Sequence, residues 1–161
     1  MSEQDRLGLL KQTYHRELMS LSAQNILDEE FVTLRFVYGA EDPLTSDIYT
    51  IFVAETPQEI DQLKTLLNAQ SINQEFLADK IGNMRASGEA LGARRFKVAC
   101  LDFWEYLKAM NIQECFRCLQ KMNDEFLVFK ASIETLFHLE DQIEGLGGNL
   151  AEIVGKDHKR D

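Results

Sequence analysis

The chain of 161 residues is 45% apolar and contains only two prolines and nine glycines, which fits a single, mainly helical domain with a sizeable core. Its formal net charge of −10 disfavours binding to nucleic acid or to an anionic membrane unless a local basic patch intervenes. No apolar run approaches the roughly 20 residues that span a bilayer, and the N-terminal residues show no secretory signal pattern, so we expect an intracellular protein.

The N-terminal part of the chain predicts two helices. Apolar residues recur there at helical spacing, first over a longer and then over a shorter stretch. Those of the first helix are Leu10, Tyr14, Leu18 and Leu21, and those of the second are Phe31, Leu34 and Val37. Residues 39–43, with the sequence GAEDP, predict a turn that ends this part.

A third helix is predicted after this turn. Its apolar positions are Leu44, Ile48, Ile51, Phe52, Ile60, Leu63 and Leu67. Pro57 lies inside this pattern, where a proline removes one internal hydrogen bond of the helix. We therefore expect a kink at this point.

The fourth predicted helix, which starts at Ser71 or Asn73, has two distinct faces. One stripe should face the core, and it consists of Leu77, Ile81, Met84, Gly88 and Leu91. At about 100° per residue, a row of small residues points away from that stripe, namely Ala78, Gly82, Ala86 and Ala93. Such a row would let a second protein approach the backbone closely, although alanine also simply favours helix formation.

Two further helices should form an antiparallel hairpin at the C-terminal end. The apolar positions of the first are Phe96, Cys100, Phe103, Leu107 and Met110, and those of the second are Cys115, Leu119, Met122, Phe126, Phe129, Ile133 and Leu136. Asn111 followed by Glu114 predicts an N-cap and capping box for the last helix. The glycines at 145, 147 and 148 should end it, and we expect residues 149–161 to form a flexible tail.

The three cysteines do not predict a disulfide framework or a metal site. Their number is odd, and Cys115 and Cys118 form a lone C-x-x-C within a helical pattern, without a second pair or a set of histidines nearby. We expect these cysteines, and Cys100, to be buried as small apolar residues. No nucleophile–base pair or phosphate loop appears either, so we expect no cofactor, no metal and no enzymatic activity in the ordinary sense.

One segment of this acidic chain is basic. Residues 80–97 contain a single acid, Glu89, and five basic side chains, which are Lys80, Arg85, Arg94, Arg95 and Lys97. This segment could be a solvated face on which charges cluster by chance. It could instead be a docking surface for an acidic partner.

Residues 82–93, with the sequence GNMRASGEALGA, resemble the phosphoacceptor helix of plant histidine-containing phosphotransfer proteins, which reads approximately H-Q-L/F-K-G-S-S-S-S-I/V-G-A. Four other segments resemble the same family in the expected order: residues 26–34, Pro43 with residues 48–52, residues 111–126 and residues 136–148. Aligning the final Gly-Ala pair of the helix places Arg85 on the family's lysine. It places Gly82 on the phosphoaccepting histidine.

The resemblance implies an all-α fold, an antiparallel four-helix bundle with additional N-terminal helices, in one domain over residues 1–148. It also implies partners, namely the receiver domains of hybrid histidine kinases and of response regulators in a cytokinin-type phosphorelay of the cytoplasm and nucleus. Because glycine has no imidazole, we expect a pseudo-phosphotransfer protein that binds receivers without accepting phosphate and thereby acts as a negative regulator. We expect it to be a monomer and to bind neither nucleic acid nor membrane.

The expected partner-binding residues are Gly82, Arg85, Ala86, Ser87, Arg94 and Arg95. Ala86 replaces a glycine of the family pattern and Glu89 replaces a serine, and both changes weaken the expected fit to an acidic receiver pocket. Two alternatives remain open at this point. The chain could be a helical adaptor outside the phosphorelay, or an active carrier that uses another histidine, such as His15 or His138.

Overall fold

The computed structural model describes residues 1–36 and 43–149, and these residues form six α-helices. The helices are α1 (Glu3–Ala23), α2 (Glu29–Phe36), α3 (Pro43–Leu67), α4 (Gln74–Ala90), α5 (Arg94–Lys108) and α6 (Ile112–Gly145). No strand occurs in the described ranges, where a lone bridge joins Leu27 to Ala93. The predicted all-α fold class is confirmed. Val37, the predicted turn up to residue 42 and the predicted tail from residue 150 lie outside the described residues.

Helices α3 to α6 form the bundle. The long helix α6 packs against α1, α3 and α5, while α4 packs against α3 and α5. Phe52 of α3 sits at the centre, with its ring 5.3 Å from that of Phe96 and 5.5 and 5.8 Å from those of Phe126 and Phe129, all edge to face. This geometry is the one that aromatic rings prefer, so three helices share one aromatic core.

The helix ends follow the sequence signals. Asn73 is the N-cap of α4, and its side chain accepts a hydrogen bond from the backbone N–H of Phe76 at 3.0 Å. Asn111 caps α6 in the same way, with Glu114 as the donor at 3.3 Å. The second hydrogen bond of the predicted capping box, from the Asn111 N–H to the Glu114 side chain, is not formed. The Glu114 carboxylate instead pairs with Arg117 at 3.0 Å.

Pro57 does not divide the third helix. Helix α3 continues through it as one element of 25 residues, and Pro57 is exposed. The bounds of a helix do not show whether it bends, so the kink at Pro57 stays a prediction. The neighbouring Thr56 is 3% exposed, so the turn that holds the proline packs its other side against the bundle.

A buried polar network fastens the N-terminal helices to α6. The Tyr14 hydroxyl donates to Glu140 Oε2 at 2.7 Å, and Arg35 of α2 forms an ion pair with the same carboxylate. The Arg35 guanidinium also lies 4.6 Å from the centre of the Phe137 ring. Burial raises the pKa of Glu140, against the lowering effect of Arg35 and of the Tyr14 hydrogen bond. Helices α1, α2 and α6 therefore meet on one carboxylate.

All three cysteines are buried and free, as predicted. Burial raises the pKa of Cys115 to about 11 and also raises the pKa of Cys100 and of Cys118. Because the thiolate is the reactive form, we expect iodoacetamide to alkylate the native protein slowly at neutral pH and rapidly in urea. Mass spectrometry of the quenched reaction would measure the rate at each cysteine. Rapid labelling of native Cys100 would contradict this burial.

None of the helices in the described ranges is both long enough and apolar enough to cross a membrane.

Candidate functional site

The core face of α4 is the one that the sequence predicts. Leu77, Ile81, Met84, Gly88 and Leu91 are all buried. A Cβ atom on Gly88 would lie 2.7 Å from Cδ1 of Phe96, which is itself 1% exposed. A glycine is therefore needed at this position so that α4 can approach α5.

The opposite face of α4 presents small side chains, with one correction to the prediction. Ala78 and Gly82 are half-buried and Ala86 is exposed, whereas Ala93 is 1% exposed and belongs to the core. The reason is that α4 ends at Ala90 and Gly92, with a φ of +75°, turns the chain. Ala93 is then the N-cap residue of α5, where the angular spacing of α4 no longer applies.

Gly82 lies at the surface beside open space. Apart from its chain neighbours and the backbone of its own helix, a Cβ atom built on this residue would meet no atom within 4 Å, so a side chain could be added without a clash at its first carbon. Gly82 lines a cleft of about 290 Å³ between α4 and α5. The residues that line it are Ala78, Asp79, Ile81, Gly82 and Arg85 of α4, with Cys100, Leu101 and Trp104 of α5.

Arg85 belongs to a three-membered ion cluster. Its guanidinium lies 3.0 Å from Glu89 Oε2, and the ammonium of Lys97 lies 3.0 Å from Glu89 Oε1. The hydrogen bond and charge of Lys97, with a smaller contribution from Arg85, lower the pKa of Glu89. Glu89 therefore does more than add negative charge to the surface. It forms an ion pair with Arg85, the cation that the resemblance assigns to partner binding. The sequence places Lys97 in the basic segment but does not show that it pairs with Glu89.

The remaining cations of the basic segment differ in how they are compensated. Arg95 pairs with Glu125 of α6 at 2.7 Å, and Lys80 donates to the side-chain oxygen of Gln62 at 2.6 Å. Arg94 is exposed in the first turn of α5 and forms no ion pair with any of the described residues. The charge of Lys80 opposes the rise in the pKa of Glu59. Arg94 lines a recess together with the acids Asp28, Glu29 and Glu30. Acidic side chains of neighbouring elements therefore offset part of the positive charge of the segment.

The site contains no group that could accept a phosphoryl group in the usual way. The Ser87 hydroxyl is exposed and donates to the backbone oxygen of Asn83 at 3.1 Å, without a base beside it. His15 lies on α1 and His138 lies on α6, and neither lines the cleft at Gly82. His158 lies outside the described residues. Within the described ranges no group of three or more potential metal ligands occurs.

Searches against known proteins give one consistent relationship. No protein-family model matches the chain. The chain is similar to histidine-containing phosphotransfer protein 1 of Arabidopsis thaliana, with 30% identity over 135 residues, which cover 83% of the chain and 88% of that relative. It is also 28% identical over 139 residues to pseudo histidine-containing phosphotransfer protein 6 of the same plant, covering 83% of the chain and 88% of the relative.

Solved structures agree on the fold. A histidine-containing phosphotransfer protein from Medicago truncatula superposes with a TM-score of 0.76 and 22% identity, covering 87% of the chain and 96% of that structure. One from maize superposes with a TM-score of 0.71 and 22% identity, covering 88% and 99%. The predicted helical bundle with additional N-terminal helices is thereby confirmed.

Proposed function

The chain belongs to the histidine-containing phosphotransfer family, and from this premise we propose that it is a pseudo-phosphotransfer protein, which docks on receiver domains without accepting a phosphoryl group. Its partners would be the receiver domains of hybrid histidine kinases and response regulators in a cytokinin-type phosphorelay of the cytoplasm and nucleus. By occupying their docking surfaces as a monomer, it would compete with active carriers. It would then lower the flux of phosphoryl groups.

The observation that carries the proposal is the glycine at position 82. The resemblance places the acceptor histidine there, and the chain has a glycine at the surface, lining an open cleft. Phosphoryl transfer from an aspartyl phosphate needs a nucleophile within bonding reach. Neither His15 nor His138 lines this cleft, so among the described residues the cleft at position 82 offers no imidazole.

Docking itself is supported by the shape and charge around Gly82. Ala86 and Ser87 are exposed and small, which allows a partner to come close to the backbone of α4. Arg85, which lines the cleft beside Gly82, supplies positive charge there, and it shares the single carboxylate of Glu89 with Lys97. A receiver domain with an acidic pocket complements such a surface.

The proposal is tested by binding and competition. We expect the purified chain to bind at least one receiver of a panel, with a micromolar dissociation constant typical of transient signalling contacts. It should take up no radiolabel from the phosphorylated receiver. Transfer from that receiver to a dilute active carrier should fall to half when the free chain reaches its dissociation constant. Label on the wild-type chain would contradict the proposal, and so would the absence of binding to every receiver.

A second candidate is a helical adaptor that acts outside the phosphorelay. The observation that favours it is the Arg85–Glu89–Lys97 cluster, because Glu89 holds both cations within the chain. An adaptor would bind no receiver domain above background, whether or not Glu89 is present.

Replacing Glu89 with glutamine distinguishes the two candidates. If the chain docks on receivers, Glu89→Gln should tighten binding a few-fold, because it removes a carboxylate that faces an acidic partner and releases Arg85 and Lys97. Isothermal titration calorimetry against the same panel measures the change. The control is Glu134→Gln, since Glu134 also pairs with a lysine four residues away, Lys130, at 3.8 Å but lies on α6 and does not line the cleft. Unchanged binding in Glu89→Gln would show that the cluster does not oppose docking.

A further inference from the structure

We propose that the cleft between α4 and α5 receives one apolar side chain of the docked receiver domain, with Trp104 forming a wall of that contact. This inference rests on the proposed function and extends the docking surface from α4 onto α5. The residues that the sequence predicts to bind a partner do not include Leu101 or Trp104. The cleft therefore adds a site that the resemblance does not supply.

The wall that α5 contributes to the cleft is apolar and partly exposed. Leu101 and Trp104 are each 37% exposed, and Ile81 and Cys100 form buried walls behind them. The ammonium of Lys108 lies 4.9 Å from the centre of the Trp104 ring, which covers one region of the indole with a cation. Exposed tryptophan beside a recess is the kind of residue that dominates protein–protein contacts.

The size of the cleft admits an apolar side chain of a partner. Its volume of about 290 Å³ is at the lower limit of pockets that hold small-molecule ligands, which range from roughly 300 to 1,000 Å³. A recess of this size has room for a single leucine, methionine or phenylalanine side chain from a protein surface.

The charged side chains at the cleft balance in number, with two cations and two carboxylates. Arg85 lines the cleft and shares Glu89 with Lys97, so two cations divide one carboxylate. Asp79 also lines the cleft, so the lining contains one acidic and one basic side chain. The affinity should therefore come mainly from the apolar contact, and the cations outside it should orient an acidic receiver.

The cleft is continuous with the proposed docking surface. Gly82 and Arg85 belong to both, so a domain that approaches the backbone at Gly82 also covers the opening of the cleft.

Trp104 is the chain's single tryptophan, so its fluorescence reports on this cleft alone. We expect titration with a receiver domain that lacks tryptophan to shift the emission to shorter wavelengths, with the dissociation constant that calorimetry gives. Trp104→Ala should weaken binding at least about tenfold, and Leu101→Ser should weaken it in the same direction. Tyr106→Ala is the matched control, because Tyr106 is an aromatic residue of the same helix, is also 37% exposed and does not line the cleft.

Each outcome of this experiment is decisive. A receiver that binds without changing the emission, and equally well to Trp104→Ala, would overturn the inference and leave the proposed function intact. Equal weakening by Tyr106→Ala would overturn it as well, since the effect would not be specific to the cleft. An emission shift that appears on concentrating the chain alone, with a dimer in sedimentation, would assign the cleft to a second copy. Failure of all receivers to bind the wild-type chain would overturn both proposals.

Discussion

Replacing Gly82 with histidine is expected to convert the chain into a phosphoryl acceptor. A Cβ atom at this position meets no atom within 4 Å, so the imidazole has space to extend from α4 towards a docked domain. Its unprotonated nitrogen would attack the phosphorus of the receiver's aspartyl phosphate. The N–P bond forms as the O–P bond breaks and the aspartate carboxylate leaves. Label on Gly82→His should exceed that on the wild type by at least about 100-fold, the order of effect of an essential catalytic group.

The control for this experiment is Gly82→Gln, which adds a side chain of similar size without a nucleophilic nitrogen. Both variants should be somewhat more stable than the wild type, by up to about 1 kcal/mol, because they replace a glycine inside a helix. Label on both variants would place the acceptor elsewhere. Receiver binding by Gly82→His without any label would mean that docking places the aspartyl phosphate away from position 82.

The sequence predicted the helices because their signals are local. Asn73 and Asn111 lie within one turn of the backbone groups that they cap, and the buried stripe of α4 follows from a fixed angle per residue. The same rule failed for Ala93, because it was extended beyond the end of the helix. The positive φ of Gly92 that ends the regularity is supported by a tertiary contact, in which the N–H of Asp28 donates to the Gly92 oxygen at 3.0 Å.

The sequence predicted only some features of the site. The features that it missed are those to which two helices contribute. The pair of Arg85 with Glu89 follows from their spacing of four residues, and it could have been found in the sequence. Lys97 joins that pair only because α5 folds back beside α4, and Trp104 reaches the cleft for the same reason. Neither is visible from the periodicity of one helix.

Replacing Glu140 with alanine is expected to destabilise the fold severely. Arg35 and Glu140 are 6% and 3% exposed, so the substitution removes a buried carboxylate from a buried guanidinium and from the Tyr14 hydroxyl. Losing one partner of a buried ion pair costs about 3 to 5 kcal/mol. For a chain of this size that corresponds to a decrease in Tm of roughly 10 °C, measurable by circular dichroism.

The matched control is Glu144→Ala, which makes the same change one turn further along α6 at an exposed position. It should alter the free energy of unfolding by no more than about 0.5 kcal/mol. Arg35→Met combined with Glu140→Leu should be more stable than Glu140→Ala, because apolar replacement of both partners leaves no buried charge to compensate. If Glu140→Ala unfolded at the same temperature as Glu144→Ala, the buried network would not hold α1 and α2 on the bundle.

Receiver binding should survive in the folded fraction of every one of these variants, since the network lies on α1, α2 and α6 whereas the proposed docking surface lies on α4 and α5.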